Sequence, residues 1–378
     1  MLVDSDLDGG AIEIVDACDV RAVELRLRPD TQAEFMQWFH FRLRAQPGKP
    51  AAIRIGNAGA STYPDAWEGY RACASYDGHR WFRVPTAYDG DALSIAHTPE
   101  RPLVQYAYFA PYPLERHERL LDRARRSTQA RRARVEELGE TVEGRPMSVA
   151  VIGDEESDRL RVWITARQHP GETMAEWFAE GVLDRLLDER DPVAAALLER
   201  AVFYLVPSMN PDGGVLGNLR TNAAGANLNR AWSAPSLERS PEVLWVRARM
   251  METGVDLALD VHGDERNPYC FAAGCEGNPG YTDRLDGLED LFMESLCALD
   301  RDFQREYGYE RDQPGEGDLG TASNWIGETF DCLSLTLEMP FKDNQNNPDP
   351  VLGWSPGRAR RFGRHSLEST LVCLDALR

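Results

Sequence analysis

The chain has 378 residues, 42% of them hydrophobic, and a formal charge of −20 from 42 basic against 62 acidic side chains. That composition excludes wholesale disorder, and the length exceeds one typical domain, so two are expected. The charge argues against nucleic acid or an anionic membrane as partner, since both need local positive charge. An acidic ligand is still allowed, because a few arginines can set the field inside one pocket; the basic residues are nearly all Arg, with Lys49 and Lys342 the only lysines. Seven cysteines without a Cys-x-x-Cys pair predict reduced thiols. The acidic opening residues do not form a signal peptide, and no run of about 18 apolar residues occurs, so a cytoplasmic protein is expected.

Residues 11–112 read as β structure. Ala22–Arg28 alternates in polarity, and so does Gln37–Arg44, which puts Phe39, Phe41 and Leu43 on one face. Tyr70–Tyr76 and Arg80–Val84 flank Asp77-Gly78, a hairpin signal, and Val104–Ala110 is a further strand. Short strands at this spacing predict an antiparallel β-sandwich. His40, His79 and His97 lie here without a ligand pattern. Pro111-Tyr112-Pro113 breaks the pattern, which places the first domain at 1–112 and the second at 113–378. Leu114–Arg134 reads as a charged helix at the junction.

Beyond it strands and helices alternate. Strands are predicted at 147–152, 160–167, 201–206, 257–262, 269–273 and 333–338. Helices are predicted at 173–188, 191–199, 241–253, 283–302, 321–328 and 358–377. This is an α/β pattern: a mixed, mostly parallel sheet covered by helices on both faces. Three of the strands end alike. The run Val162–Thr165 leads into His169-Pro170-Gly171-Glu172, Leu257–Val261 into His262, and Leu333–Leu337 into Glu338. The carboxyl ends of parallel strands line one sheet edge, where ligands bind. Two His and one Glu make a three-ligand set that leaves zinc an open fourth position. A further carboxylate is what hydrolysis needs to take a proton from water, and Glu338 fits that role.

At this point the sequence resembles the M14 (carboxypeptidase A-like) zinc metallocarboxypeptidases, in particular the cytosolic carboxypeptidase branch. The resemblance rests on His169-Pro-Gly-Glu172, Asn210-Pro-Asp-Gly213, Gly217-Asn-Leu-Arg220, Asn227-Leu-Asn-Arg230, Asp260-Val-His262-Gly and Leu337-Glu338-Met-Pro, in the family's order. Trp38–Phe41 and Tyr108–Pro113 resemble that branch's extra N-terminal β-sandwich. The resemblance implies one Zn²⁺ held by His169, Glu172 and His262, with Glu338 as general base. It implies that Arg220 stabilises the oxyanion and that Asn229 and Arg230 hold a substrate's terminal carboxylate. Asn210–Gly213 would shape the floor of the site. Substrates would be peptide or protein C-terminal tails, ending in glutamate and similar charged residues. Lys342 is a candidate for a glutamate pocket, a solvated lysine being the alternative. The family's substrate-covering tyrosine has no aligned counterpart; Tyr307 and Tyr309 are the tyrosines nearby. Two other readings stand beside this one: a deacylase of N-acyl amino acids on the same fold, and a non-catalytic binding protein that keeps it.

Overall fold

A computed structural model describes residues 2–127 and 133–377. The N-terminal part holds ten short strands: β1 (Val3–Asp4), β2 (Glu13–Asp16), β3 (Val23–Arg26), β4 (His40–Arg44), β5 (Ala51–Ile55), β6 (Cys73–Ser75), β7 (Phe82–Arg83), β8 (Thr86–Tyr88), β9 (Leu93–His97) and β10 (Leu103–Ala107). They form two five-stranded sheets, ordered β1-β4-β10-β6-β7 and β2-β3-β5-β9-β8. Alternate residues face inward, as Ala51, Ile53 and Ile55 of β5 do, and both sheets close on one core containing Phe39, Phe41, Leu43 and Tyr106. The predicted sandwich is thus present, with one exception to its antiparallel order: β3 and β5 run parallel. Between them the chain crosses to the other sheet to form β4 and then returns, so β5 re-enters in the direction of β3. Asp77-Gly78 lies in a longer turn between β6 and β7. There the Asp77 carboxylate accepts the His79 and Arg80 N–H groups at 2.8 Å each, and Gly78 takes a φ of +73°.

The predicted junction helix is shorter than expected: α1 spans Leu114–Arg125, and β11 (Arg134–Glu140) already begins at Arg134. The intervening stretch of that prediction, 128–132, lies outside the described residues. The second part continues with β12 (Pro146–Ile152), β13 (Leu160–Ala166), α2 (Thr173–Leu187), α3 (Pro192–Arg200), β14 (Ala201–Val206), α4 (Pro211–Leu216), α5 (Pro241–Thr253), β15 (Leu257–Val261), β16 (Phe271–Ala273), α6 (Asp283–Leu299), α7 (Ala322–Phe330), β17 (Leu333–Glu338) and α8 (Pro356–Cys373). Helix α4 is not among the helices the sequence predicts; Asn210 caps it by accepting the Gly213 N–H at 3.0 Å.

The seven-stranded sheet runs β11-β12-β14-β13-β15-β17-β16, with the central β14, β13, β15 and β17 parallel and the flanking pairs antiparallel. Its central strands are apolar on both faces because both faces are covered. Ile164, Leu259 and Leu335 join a core that contains Phe178, Phe292 and Phe362 from α2, α6 and α8. Trp163, Tyr204 and Ala258 point the other way, toward Val246 of α5 and Ile326 of α7. The two parts are also pinned together. The buried Arg83 side chain donates to the Phe341 and Trp354 carbonyls at 2.6 and 3.1 Å, and Tyr108 stacks on Phe341 with centroids 4.5 Å apart. All seven cysteines are unpaired. Among the described residues, no helix is long and apolar enough to cross a membrane.

Candidate active site

Because β13, β15 and β17 are parallel neighbours, their carboxyl ends bring His169, Glu172, His262 and Glu338 to one edge of the sheet. There they line a cavity of about 400 Å³. The β13–α2 turn is tightly fixed. Arg167 sits at φ +58°, a conformation that L residues rarely adopt, and its buried guanidinium bonds the Pro170 and Tyr112 carbonyls and Glu176 at 2.7–2.9 Å. Gly171 donates its N–H to the Leu219 carbonyl at 2.8 Å, and a Cβ there would lie 2.9 Å from that same oxygen. Only glycine lets the turn approach the 217–222 loop so closely.

One donor atom from each of His169, Glu172 and His262 falls within 4.8 Å of the others. Nδ1 of His169 lies 2.6 Å from one Glu172 oxygen, and Nδ1 of His262 lies 2.8 Å from the other. The far nitrogens are engaged behind them. Nε2 of His169 lies 3.0 Å from Asn227 Oδ1, and Nε2 of His262 lies 2.8 Å from Asp260 Oδ2. Asp260 is held in turn by Thr165 at 2.8 Å and Gln168 at 2.6 Å, and Gln168 by the Trp232 indole N–H at 2.8 Å. With zinc bound, an acceptor behind each imidazole would keep the proton on Nε2 and leave the Nδ1 lone pair to the metal. Two such nitrogens and a carboxylate converging on one point are a donor set that fits zinc.

The surroundings split the two imidazoles. Burial, with the Arg220 charge, pushes His169 down to about 4. Burial also opposes charge on His262, but the Asp260 and Glu172 carboxylates outweigh it and hold His262 well above the usual range. Glu172, though buried, is held below the usual carboxylate range by the two histidines. Glu338 goes the other way: burial, with the Glu172 and Asp264 charges adding to it, raises it well above that range. Its Oε2 is buried without a hydrogen-bond partner.

Arg220, Asn229 and Arg230 line the same cavity. Asn229 uses its amide oxygen to accept the Ala322 N–H at 2.8 Å, and its NH₂, 3.3 Å from His262 Nε2, keeps an N–H for a ligand. Arg230 is exposed at the mouth, where Nη1 donates to the Asn229 carbonyl at 2.6 Å and Nε lies 3.6 Å from Asp318. Asn210 donates to the Gln168 carbonyl at 3.0 Å, bracing the turn that carries His169. Lys342 is not among the cavity residues. Its Nζ turns to the Glu68 carbonyl at 2.9 Å, so the expectation of a glutamate pocket built on it is not met.

Two tyrosines that sequence reasoning could not place are in the cavity. Tyr309 Oη lies 2.9 Å from both Asp264 Oδ2 and Glu338 Oε1, although half of the residue's surface is exposed. The phenol has one proton, so it donates to only one of these two carboxylates at a time. Tyr307 instead stacks on Tyr269 outside, at 4.5 Å. Tyr63, from the N-terminal part, also lines the cavity. The Gly- and Asp-rich stretch around Tyr309, and the distance in sequence to Tyr63, gave no signal for either.

Residues 3–109 match the cytosolic carboxypeptidase N-terminal domain and residues 119–349 match the zinc carboxypeptidase family. A protein of Zymomonas mobilis is 43% identical over 99% of this chain and 97% of its own. Human cytosolic carboxypeptidase 6 is 26% identical over 90% of this chain and 72% of its own. Among solved structures, a metallo-carboxypeptidase from Pseudomonas aeruginosa in complex with (2-guanidinoethylmercapto)succinic acid superposes with a TM-score of 0.96 at 49% identity, covering 100% of both chains. One from Burkholderia cenocepacia gives 0.95 at 48% identity, covering 99% of this chain and 98% of its own. The chain therefore belongs to the M14 zinc carboxypeptidase family of hydrolases, with the N-terminal domain of the cytosolic carboxypeptidases.

Proposed function

We propose that this enzyme removes single residues from the C-termini of peptides or protein tails, in the cytoplasm, using one zinc ion held by His169, Glu172 and His262. The observation that carries the proposal is the convergence of these three donors with Glu338 and Arg220 on one cavity at the sheet edge. Zinc in that donor set supplies a Lewis acid that acidifies water near neutral pH. Glu338, with its free Oε2, accepts a proton as water adds to the scissile carbonyl. It returns that proton to the nitrogen as the C–N bond breaks, so the leaving residue departs as a neutral amine. Arg220 donates to the oxyanion formed in between, a contribution of about 3–4 kcal/mol for one good donor.

An exopeptidase must recognise a free carboxylate, and a guanidinium does so through paired donors. Arg230 with the Asn229 NH₂ supplies that recognition in an otherwise acidic molecule. The ligand of the P. aeruginosa relative, which carries two carboxylates, suits such a pair. We place the boundary between the two domains at residues 112 and 113, where Pro111 and Pro113 interrupt the chain ahead of α1. The test is a set of octapeptides differing in the last residue, each made with a free and an amidated C-terminus and read by mass spectrometry. Free peptides should shorten one residue at a time, chelator should stop it, and amidated peptides should stay intact. Equal cleavage of the amidated set would overturn the proposal.

A further inference from the structure

Arg220 has an unusual setting. Among the described residues, no backbone or side-chain acceptor takes a hydrogen bond from its guanidinium, and no carboxylate forms an ion pair with it. It lies against two aromatic rings, with Cζ 5.8 Å from the Phe35 centroid and 5.9 Å from that of Tyr63, a ring that Arg266 also approaches at 5.0 Å. Ring faces hold a guanidinium by charge–quadrupole attraction and consume none of its five N–H donors. Both rings belong to the N-terminal domain.

The backbone of the Arg220 loop is gripped by the same domain. The buried Asp30 carboxylate accepts three successive amide N–H groups: Leu219 at 2.6 Å on one oxygen, Arg220 and Thr221 at 2.8 and 2.9 Å on the other. The Thr221 hydroxyl adds a fourth bond at 3.0 Å. Thr31 donates its N–H and hydroxyl to Asn218 Oδ1 at 3.0 and 3.1 Å, and Gln32 donates to the Ala223 carbonyl at 3.0 Å. Asp30 is itself fixed, since its N–H donates to the Phe35 carbonyl at 2.7 Å and Gln32 takes a φ of +56° to close the turn. One short turn, 30–35, thus sets both the backbone and one flank of the side chain.

We infer that the N-terminal domain is a working part of the active site, with Asp30, Phe35 and Tyr63 as positioning residues that aim Arg220 while leaving its donors free for the reacting carbonyl. This rests on the reading of Arg220 as the oxyanion donor. The first probe is Asp30→Asn, which keeps the volume but turns an NH₂ toward amide donors; the second is Phe35→Leu, which keeps the apolar contact and removes the ring. Both are assayed in the full-length zinc-loaded enzyme, on the best-cleaved octapeptide, alone and combined with Arg220→Met. Asp30→Asn should lower kcat roughly 10–100-fold, leave KM within about threefold and leave zinc content unchanged, because the changed contact acts on the transition state. Phe35→Leu should lower kcat about 3–10-fold in the same pattern. In the Arg220→Met background neither change should matter by more than about twofold, since residues acting through one group are not additive. Additive losses in that background would overturn this inference and leave the role of Arg220 intact. Arg220→Met at the wild-type rate would overturn the oxyanion reading, and this inference with it.

Discussion

The metal-ligand cluster and the Arg220 loop face one another across a single cavity, yet they are supported from different sides. His169, Glu172 and His262 stand at the ends of adjacent parallel strands, and the groups behind their rings (Asp260, Gln168, Trp232, Asn227) come from the same domain, while the Tyr112 carbonyl of the first domain braces their turn only through Arg167. Arg220 stands on a loop without regular structure, and Asp30, Phe35 and Tyr63 reach it from the other domain. The difference shows how one fold can divide labour. A sheet edge holds a metal site mainly through its own strands and their neighbours, whereas a loop that must present unencumbered donors needs support that does not occupy them.

The largest expected effects separate chemistry from metal binding. Glu338→Gln should lower kcat at least ~10³-fold with zinc still bound, because only the proton acceptor is lost. His169→Ala should lose the zinc itself, as metal analysis of the purified protein would show; full occupancy in that variant would remove His169 from the ligand set. Next in size, Asp260→Asn removes the carboxylate behind His262 and should weaken zinc affinity ~10–100-fold, measured by competition with a chelator. If it left affinity unchanged and lowered only kcat, the division between the two supports would not hold.

The smallest effect concerns the far side of the Arg220 loop. Asn222, next to Thr221, donates to Glu242 of α5 at 3.1 Å. Burial, with the Asp212 charge adding to it, pushes Glu242 up to about 7 from an ordinary 4.5. The folded state therefore keeps this proton to a higher pH than the unfolded chain does. Its stabilising effect is fully present below about 4.5 and is lost as pH rises to about 7, with a slope of at most ~1.4 kcal/mol per pH unit. Urea midpoints between pH 5 and 8 should fall in the wild type, and the fall should be shallower in Glu242→Gln. An identical slope in the variant would show that Glu242 titrates normally.

This contrast also explains what could be read from the chain. The metal half was legible because each ligand follows an apolar strand within six residues, so local periodicity and one rule about parallel sheets bring them together. The arginine half was legible only as a motif, Gly217-Asn-Leu-Arg220. Asp30 lies 190 residues before Arg220, and an Asp in a polar turn looks like turn chemistry until its three N–H partners are seen. Tyr309 was ambiguous with Tyr307 because both lie in a loop whose course follows from Gly308 packing on Phe271, a tertiary contact. Lys342 misled because closeness in sequence to Glu338 does not fix side-chain direction; after Pro340 the chain turns toward the N-terminal domain. The parallel β3/β5 pair was hidden for a similar reason, since alternation gives the face of a strand but not its direction.

The central claim is that one zinc per chain and C-terminal hydrolysis belong to the same site. The most direct measurement is a titration of zinc into chelator-stripped enzyme, with metal bound and C-terminal residue released measured on the same samples. The account predicts release rising linearly and levelling off at one zinc per chain, with Glu338→Gln binding the same zinc and releasing nothing. Full activity in the stripped enzyme, or one tightly bound zinc with every free-carboxylate peptide left intact, would contradict it.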